Sequence, residues 1–204
     1  DKESTELLIC EGDSAGSNLL AMRNPRIHAV LPLRGKPKNI MDEGVENILN
    51  NLEMRSIVNA LGTGLIKHEK PELCRYGKII VATDADVDGA NIASLVIGAL
   101  CYLVPQTVLS GRVYIVQAPL YGQYINKQFV PYWKFEDIKP NVPVKYYKGL
   151  GSLCPAEAEV SLLSDKRQIK RVTGVKIQEV IKLVGSSDYK KALMKLNEVV
   201  AWDC

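Results

Sequence analysis

Histidine is scarce in this chain of 204 residues: only His28 and His68 occur, both early. The five cysteines (Cys10, Cys74, Cys101, Cys154 and Cys204) are odd in number and include no Cys-x-x-Cys pair. The cysteine pattern argues against a zinc site and a disulfide framework, and for a reducing compartment, the cytoplasm. No long apolar run is present either. The longest, residues 92–105, is too short to cross a bilayer and reads as a buried helix, and no basic-then-apolar leader opens the sequence. Internal repeats, low-complexity linkers and a phosphate-cradling ATPase motif are also missing.

Acidic residues are missing from one stretch in particular. Between Ser14 and Met41 there is no Asp or Glu, whereas Arg23, Arg26, Arg34, Lys36 and Lys38 all fall there. A second basic run follows at Lys166, Arg167, Lys170 and Arg171. The net charge of +3 decides little, but this distribution suits a polyanion, since neutralising phosphates is what Lys and Arg do on DNA. Plain solvated surface is the alternative, and for the second run the two readings weigh equally.

The missing acid is concentrated elsewhere. "TDADVDGANI" sets Asp84, Asp86 and Asp88 two residues apart and closes them with Gly89. A calcium loop of the EF-hand type begins this way but needs Glu at its twelfth position, which here is Leu95, and a helix in front. "GKIIVAT" precedes it instead, a β-branched run that reads as a buried strand. What remains is a carboxylate cluster at the carboxyl end of a strand, the sheet edge where ligands bind in α/β folds. Oxygen ligands without His or Cys suit Mg²⁺ or Mn²⁺; a solvated acidic turn is the bland alternative.

Coarse periodicity supports the same architecture. Strands are predicted at 6–12, 27–33, 77–83 and 112–117, and helices at 14–22 and 90–104. Val45, Ile48, Leu49 and Leu52, then Ile57, Ala60 and Leu61, recur at helical spacing and predict two short helices. Residues 118–135 turn to short aromatic strands, an edge hairpin, and "KYYKGLGS" reads as a strand running into a Gly-rich basic loop. The predicted fold class is α/β, a Rossmann-like, mainly parallel sheet flanked by helices, with a smaller helical C-terminal tail. The division is 1–153 for the sheet domain and 154–204 for the tail.

"GDSAG" (Gly12 to Gly16) matches the Gly-x-Ser-x-Gly nucleophile elbow and sits between a predicted strand and helix. A serine hydrolase also needs a His late in the chain, which this sequence lacks. The same turn carries Glu11, and if the first strand lies parallel beside the one ending at Thr83, Glu11 and Asp84 share a sheet edge. Four acidic groups there could hold one or two Mg²⁺ ions, as two-metal phosphoryl transfer requires.

"CEGDSAG", "LPLRGKPKN", "ALGTG", "TDADVDGANI", "GRVYIVQAPLY" and "YKGLGS" occur in one order. Together they closely resemble the metal-binding TOPRIM domain of type IIA DNA topoisomerases, of the gyrase B or topoisomerase IV E-subunit type. The resemblance covers residues 7–153, and the tail matches loosely. Asn91 stands where bacterial members usually carry His, the loop around Lys38 is unusual, and Ser152 replaces the commoner Glu. These departures look like a bacteriophage version.

The resemblance implies double-strand cleavage by a tyrosine carried on another domain or subunit, strand passage and religation. It places Glu11, Asp84, Asp86 and Asp88 at the metal, Mg²⁺ with Mn²⁺ as the alternative. Arg34, Lys36, Lys38 and Lys148 would contact double-stranded DNA, with Arg34 and Lys36 beside the cut. ATP would be bound by a domain upstream, and this chain would then be a fragment or a split subunit unable to cut DNA alone. The competing readings are a TOPRIM nuclease or primase-like protein, and a catalytically silent DNA-binding module.

Overall fold

The computed structural model describes residues 1–34, 47, 50–172, 178–180, 182 and 194–195. Its main sheet follows from the runs of consecutive apolar residues in its strands. β1 (Glu6–Glu11), β3 (Lys78–Thr83) and β4 (Val113–Gln117) are buried along almost their whole length. Successive side chains of a strand point to opposite faces, so such runs need cover on both sides. Leu7, Ile9, Ile79, Val81, Val113 and Ile115 enter one core. Leu8, Cys10, Ile80, Ala82, Tyr114 and Val116 enter the other.

Helices supply the cover. α1 (Asp13–Met22) lies in the crossover from β1 to β2 (His28–Leu33) and packs Ala15 and Leu19 into the second core. α2 (Leu52–Leu61) and α3 (Val87–Leu103) cover the opposite face. Eleven of the residues of α3 are buried, which is why its sequence is apolar all round rather than striped. Pro105 ends that helix and opens the short α4 (Pro105–Leu109), whose first amides are capped by Glu69.

The first four strands of this sheet are parallel, in the order β2-β1-β3-β4, and a short antiparallel strand, β8 (Ile169–Arg171), follows β4 at the edge. The predicted strands and helices 14–22 and 90–104 are present with shifts of a residue or a few at their ends. Of the two short helices predicted after residue 45, α2 is observed, and Val45, Ile48 and Leu49 lie outside the described residues.

The hairpin is formed by β5 (Tyr121–Ile125) and β6 (Gln128–Tyr132), and β7 (Lys145–Tyr146) adds antiparallel to β5. Asn126 and Lys127 both have positive φ, the two-residue turn that matches the twist of paired strands.

The tail departs from the helical expectation. α5 (Pro155–Ala158) and a π-helical turn (Glu159–Leu163) are helical, but residues 169–171 form the edge strand β8. Its pairing with Tyr114, Ile115 and Val116 satisfies an otherwise open sheet edge, a gain that local periodicity does not reveal.

Candidate metal centre and nucleic-acid interface

Register decides which carboxylates meet. β1 and β3 are adjacent and parallel, with Cys10 opposite Ala82, so Glu11 and Asp84 leave the sheet side by side at its carboxyl edge. Glu11 Oε2 is buried and has no hydrogen-bond partner among the described residues. Burial raises the Glu11 pKa above its ordinary value, and the charges of Asp84, Asp86 and Asp88 push it further the same way. Asp84 is also raised by burial, relieved in part by the Leu150 N–H, which donates to Asp84 Oδ1 at 2.7 Å.

Asp86 has a structural task besides. It caps α3, its Oδ1 accepting from the Gly89 N–H at 2.7 Å. Gly89 is required at that spot because a Cβ there would stand 2.0 Å from the Asp84 carbonyl oxygen. Asp88 lies in the first turn of α3 and, with Glu11, Asp13, Arg34, Leu33 and Ile92, lines a cavity of about 560 Å³.

Among the described residues, no three His, Cys, Asp or Glu side chains close together as a ready-made ligand set. Asp84 and Asp86 each accept from a backbone N–H instead, of Leu150 and Gly89. The donor chemistry nevertheless fits a hard cation, being all carboxylate oxygen with one buried oxygen left unsatisfied.

Of the basic residues, Arg34 follows β2 directly and pairs with Asp13, Nε to Oδ1 at 3.2 Å, both side chains being well exposed. Lys148 is exposed on the loop after β7, next to Gly149. That glycine packs against the site: a Cβ would fall 2.2 Å from Asp84 Oδ2. Lys36 and Lys38 lie outside the described residues.

The second basic run divides. Arg167 donates to both carboxylate oxygens of Glu6, at 2.6 and 2.7 Å, and Arg171 donates to the Tyr114 hydroxyl. These two are structural partners, a role that sequence proximity to other cations concealed.

The hydrolase alternative finds no support in the geometry. Ser14 sits in the first turn of α1 at the carboxyl edge, whereas His28 lies at the opposite end, 3.7 Å from Glu6, and His68 is exposed in a 3₁₀ turn.

A parallel sheet of this order, with an acidic carboxyl edge built by the turns after β1 and β3, is an α/β scaffold of the kind that binds ligands at its strand ends, and comparison with known proteins gives its family. The chain belongs to the Toprim domain family, whose model matches residues 6–118, the span from β1 through β4. It is 37% identical over 221 residues to the B subunit of DNA topoisomerase 4 from Rickettsia typhi, covering 97% of this chain and 33% of that protein. The DNA gyrase B subunit of Thermus thermophilus is 37% identical over 183 residues, covering 83% and 29%. Its counterpart from Thermotoga maritima is 36% identical over 182 residues, covering 84% and 28%. The chain thus spans about a third of the length of the curated relatives it matches.

Proposed function

We propose that this chain is the metal-binding part of an ATP-dependent type II DNA topoisomerase. In this reading it supports transient double-strand cleavage and religation by a tyrosine on another domain or subunit, with ATP bound by a domain upstream. The observation that carries it is the buried, unsatisfied Glu11 oxygen beside Asp84, on adjacent strand ends and within reach of the charges of Asp86 and Asp88.

Glu11 and Asp84 would hold one Mg²⁺, with Mn²⁺ as a substitute, and Asp84, Asp86 and Asp88 a second. A divalent ion bound there supplies neutralisation of the charge that develops on the scissile phosphate and its leaving oxygen. Glu11 would also move a proton at the 3′ oxygen of the cut strand. Arg34, Lys36, Lys38 and Lys148 position the double-stranded DNA through its backbone and read no sequence.

Two tyrosines, Tyr124 on β5 and Tyr147 within the Gly149 loop, are poor nucleophiles. Burial, with the Glu157 carboxylate close by, pushes the Tyr124 phenol up to about 12 and raises Tyr147 further. A nucleophile supplied by a partner is consistent with both. The same reading puts the protein in a bacterial or phage-infected cytoplasm.

The test is a plasmid-nicking assay of the chain alone in Mg²⁺ and Mn²⁺, after calorimetry has measured ion binding. The expected result is bound metal without nicking, and cleavage once a tyrosine-bearing partner is added. Nicking by the chain alone that disappears in Glu11→Gln and Asp84→Asn would establish a TOPRIM nuclease instead. On DNA, Lys36→Ala and Lys148→Ala should each weaken affinity and lower the salt slope by about 1.

A further inference from the structure

The carboxylate of Glu157 is 1% exposed, although it belongs to a four-residue helix next to the surface. A buried carboxylate survives only when its oxygens are occupied, and these are. Oε1 accepts from the Tyr124 hydroxyl at 3.0 Å and from Lys145 Nζ at 3.0 Å. Oε2 accepts from Lys145 Nζ at 3.0 Å and from the Cys154 N–H at 2.8 Å.

Those donors have a particular arrangement in the chain. Lys145 stands immediately before residues 146–153 and Cys154 immediately after them, so one side chain ties both ends of this loop and, through Tyr124, fastens it to β5. The loop is the one whose Gly149 packs on Asp84 and whose Leu150 N–H donates to it. Further ties run along it. Tyr147, Leu150 and Leu153 enter the second core, Lys145 Nζ lies 5.2 Å from the Tyr147 ring centroid, and Asn18 Nδ2 donates to the Leu153 carbonyl at 2.6 Å. β7 also holds the start of the loop to β5 through the backbone, and the Glu157 carboxylate is the group that accepts from both Lys145 and Cys154, one at each end.

We propose that Glu157 is a positioning residue for the carboxylate site: it clasps the loop of residues 146–153 so that the Leu150 N–H orients Asp84 and Lys148 faces the DNA. The proposal rests on the function proposed above for what Asp84 and Lys148 do, while the clasp itself is a property of the loop. Groups that orient ligands without touching the ion commonly change metal affinity by about 10–100-fold.

The experiment is amide hydrogen exchange by NMR on the full chain, with Mg²⁺ affinity from calorimetry on the same samples. Glu157→Ala should speed exchange at the Leu150 N–H by about tenfold or more while Val81 in β3 keeps its protection, because the opening is local. Mg²⁺ affinity should fall by about tenfold. Glu157→Gln, which keeps the acceptor for Cys154 or Tyr124, should recover most of both. Lys145→Met, which removes the two bonds from Nζ and leaves the carboxylate in place, gives the same direction and serves if Glu157→Ala does not fold.

Exchange at Leu150 that stays unchanged, or that rises only in step with Val81, overturns the clasp, since Glu157 would then be an ordinary stabilising group. Unchanged Mg²⁺ affinity in Glu157→Ala, alongside lost affinity in Asp84→Asn, overturns its effect on the site. Unchanged affinity in Asp84→Asn overturns the metal-site reading itself, and Leu150 exchange still judges the clasp independently of it.

Discussion

β1 carries a glutamate at each end, and the two live in opposite electrostatic circumstances. Glu6, at the amino end, is 6% exposed and receives Arg167 in a two-pronged pair, Lys78 at 3.0 Å and the His28 ring at 3.7 Å. Burial alone would raise its pKa, but the hydrogen bonds from Arg167 and Lys78 outweigh that and hold it below the ordinary value. Glu11, at the carboxyl end of the same strand, is raised by burial and further by the other carboxylates it meets. The protein completes the charge at one end from its own side chains; at the other it assembles negative charge that a cation from outside can complete.

Breaking the finished end should have the largest effect. Arg167→Ala leaves the buried Glu6 with Lys78 and the His28 ring but without its two-pronged partner, and should cost about 3 kcal/mol, measured by urea unfolding, because a buried charge that loses a partner is costlier than the pair. The pH dependence follows with a definite sign. Since Glu6 is lowered in the folded state, its stabilisation is present above its unfolded value, near 4.5, and is lost as pH falls through the lower folded value. Glu6→Gln should flatten that acid limb of a melting-temperature profile, and a limb of unchanged steepness would show that other groups carry it.

Completing the other end comes next in size. Mg²⁺ at about 100 times its dissociation constant should stabilise the protein by about 2.7 kcal/mol in thermal melts, and Asp84→Asn should remove most of that gain. In EDTA the comparison sharpens: Glu11→Gln relieves repulsion and should raise metal-free stability while abolishing the response to Mg²⁺. The smallest effect belongs to the exposed Arg34–Asp13 pair. Asp13→Ala should change stability by less than about 0.5 kcal/mol in the same melts.

Much of this was legible in the sequence, because it is written locally. Continuous apolar runs marked β1, β3 and β4 as buried and parallel, and the turns after two of them placed Glu11 and Asp84 at one edge. What escaped is what depends on residues far apart in the chain. β8 is too short and too basic to signal a strand, and only pairing with β4 makes it one. Arg167 reads as part of a basic run until its partner, 161 residues away, comes into view. Glu157 carries no signal in the sequence, because its donors lie on β5, on β7 and at its own helix cap. The double use of Asp86 was partly visible: an acid three residues before a glycine, at a helix start, is a cap signature that the cluster of carboxylates overshadowed.

The distance between Glu6 and Arg167 along the chain also sets a clock during synthesis. A ribosome adding roughly 5–20 residues per second takes roughly 8–32 seconds to make the 161 residues that separate them. Throughout that interval the emerging strand carries a glutamate destined for the interior with no arginine to meet it. The nascent chain therefore gains by keeping β1 wet until the last sheet strand arrives, and a pause in translation before Arg167 should lengthen the time in which the early strands are open to proteases or chaperones.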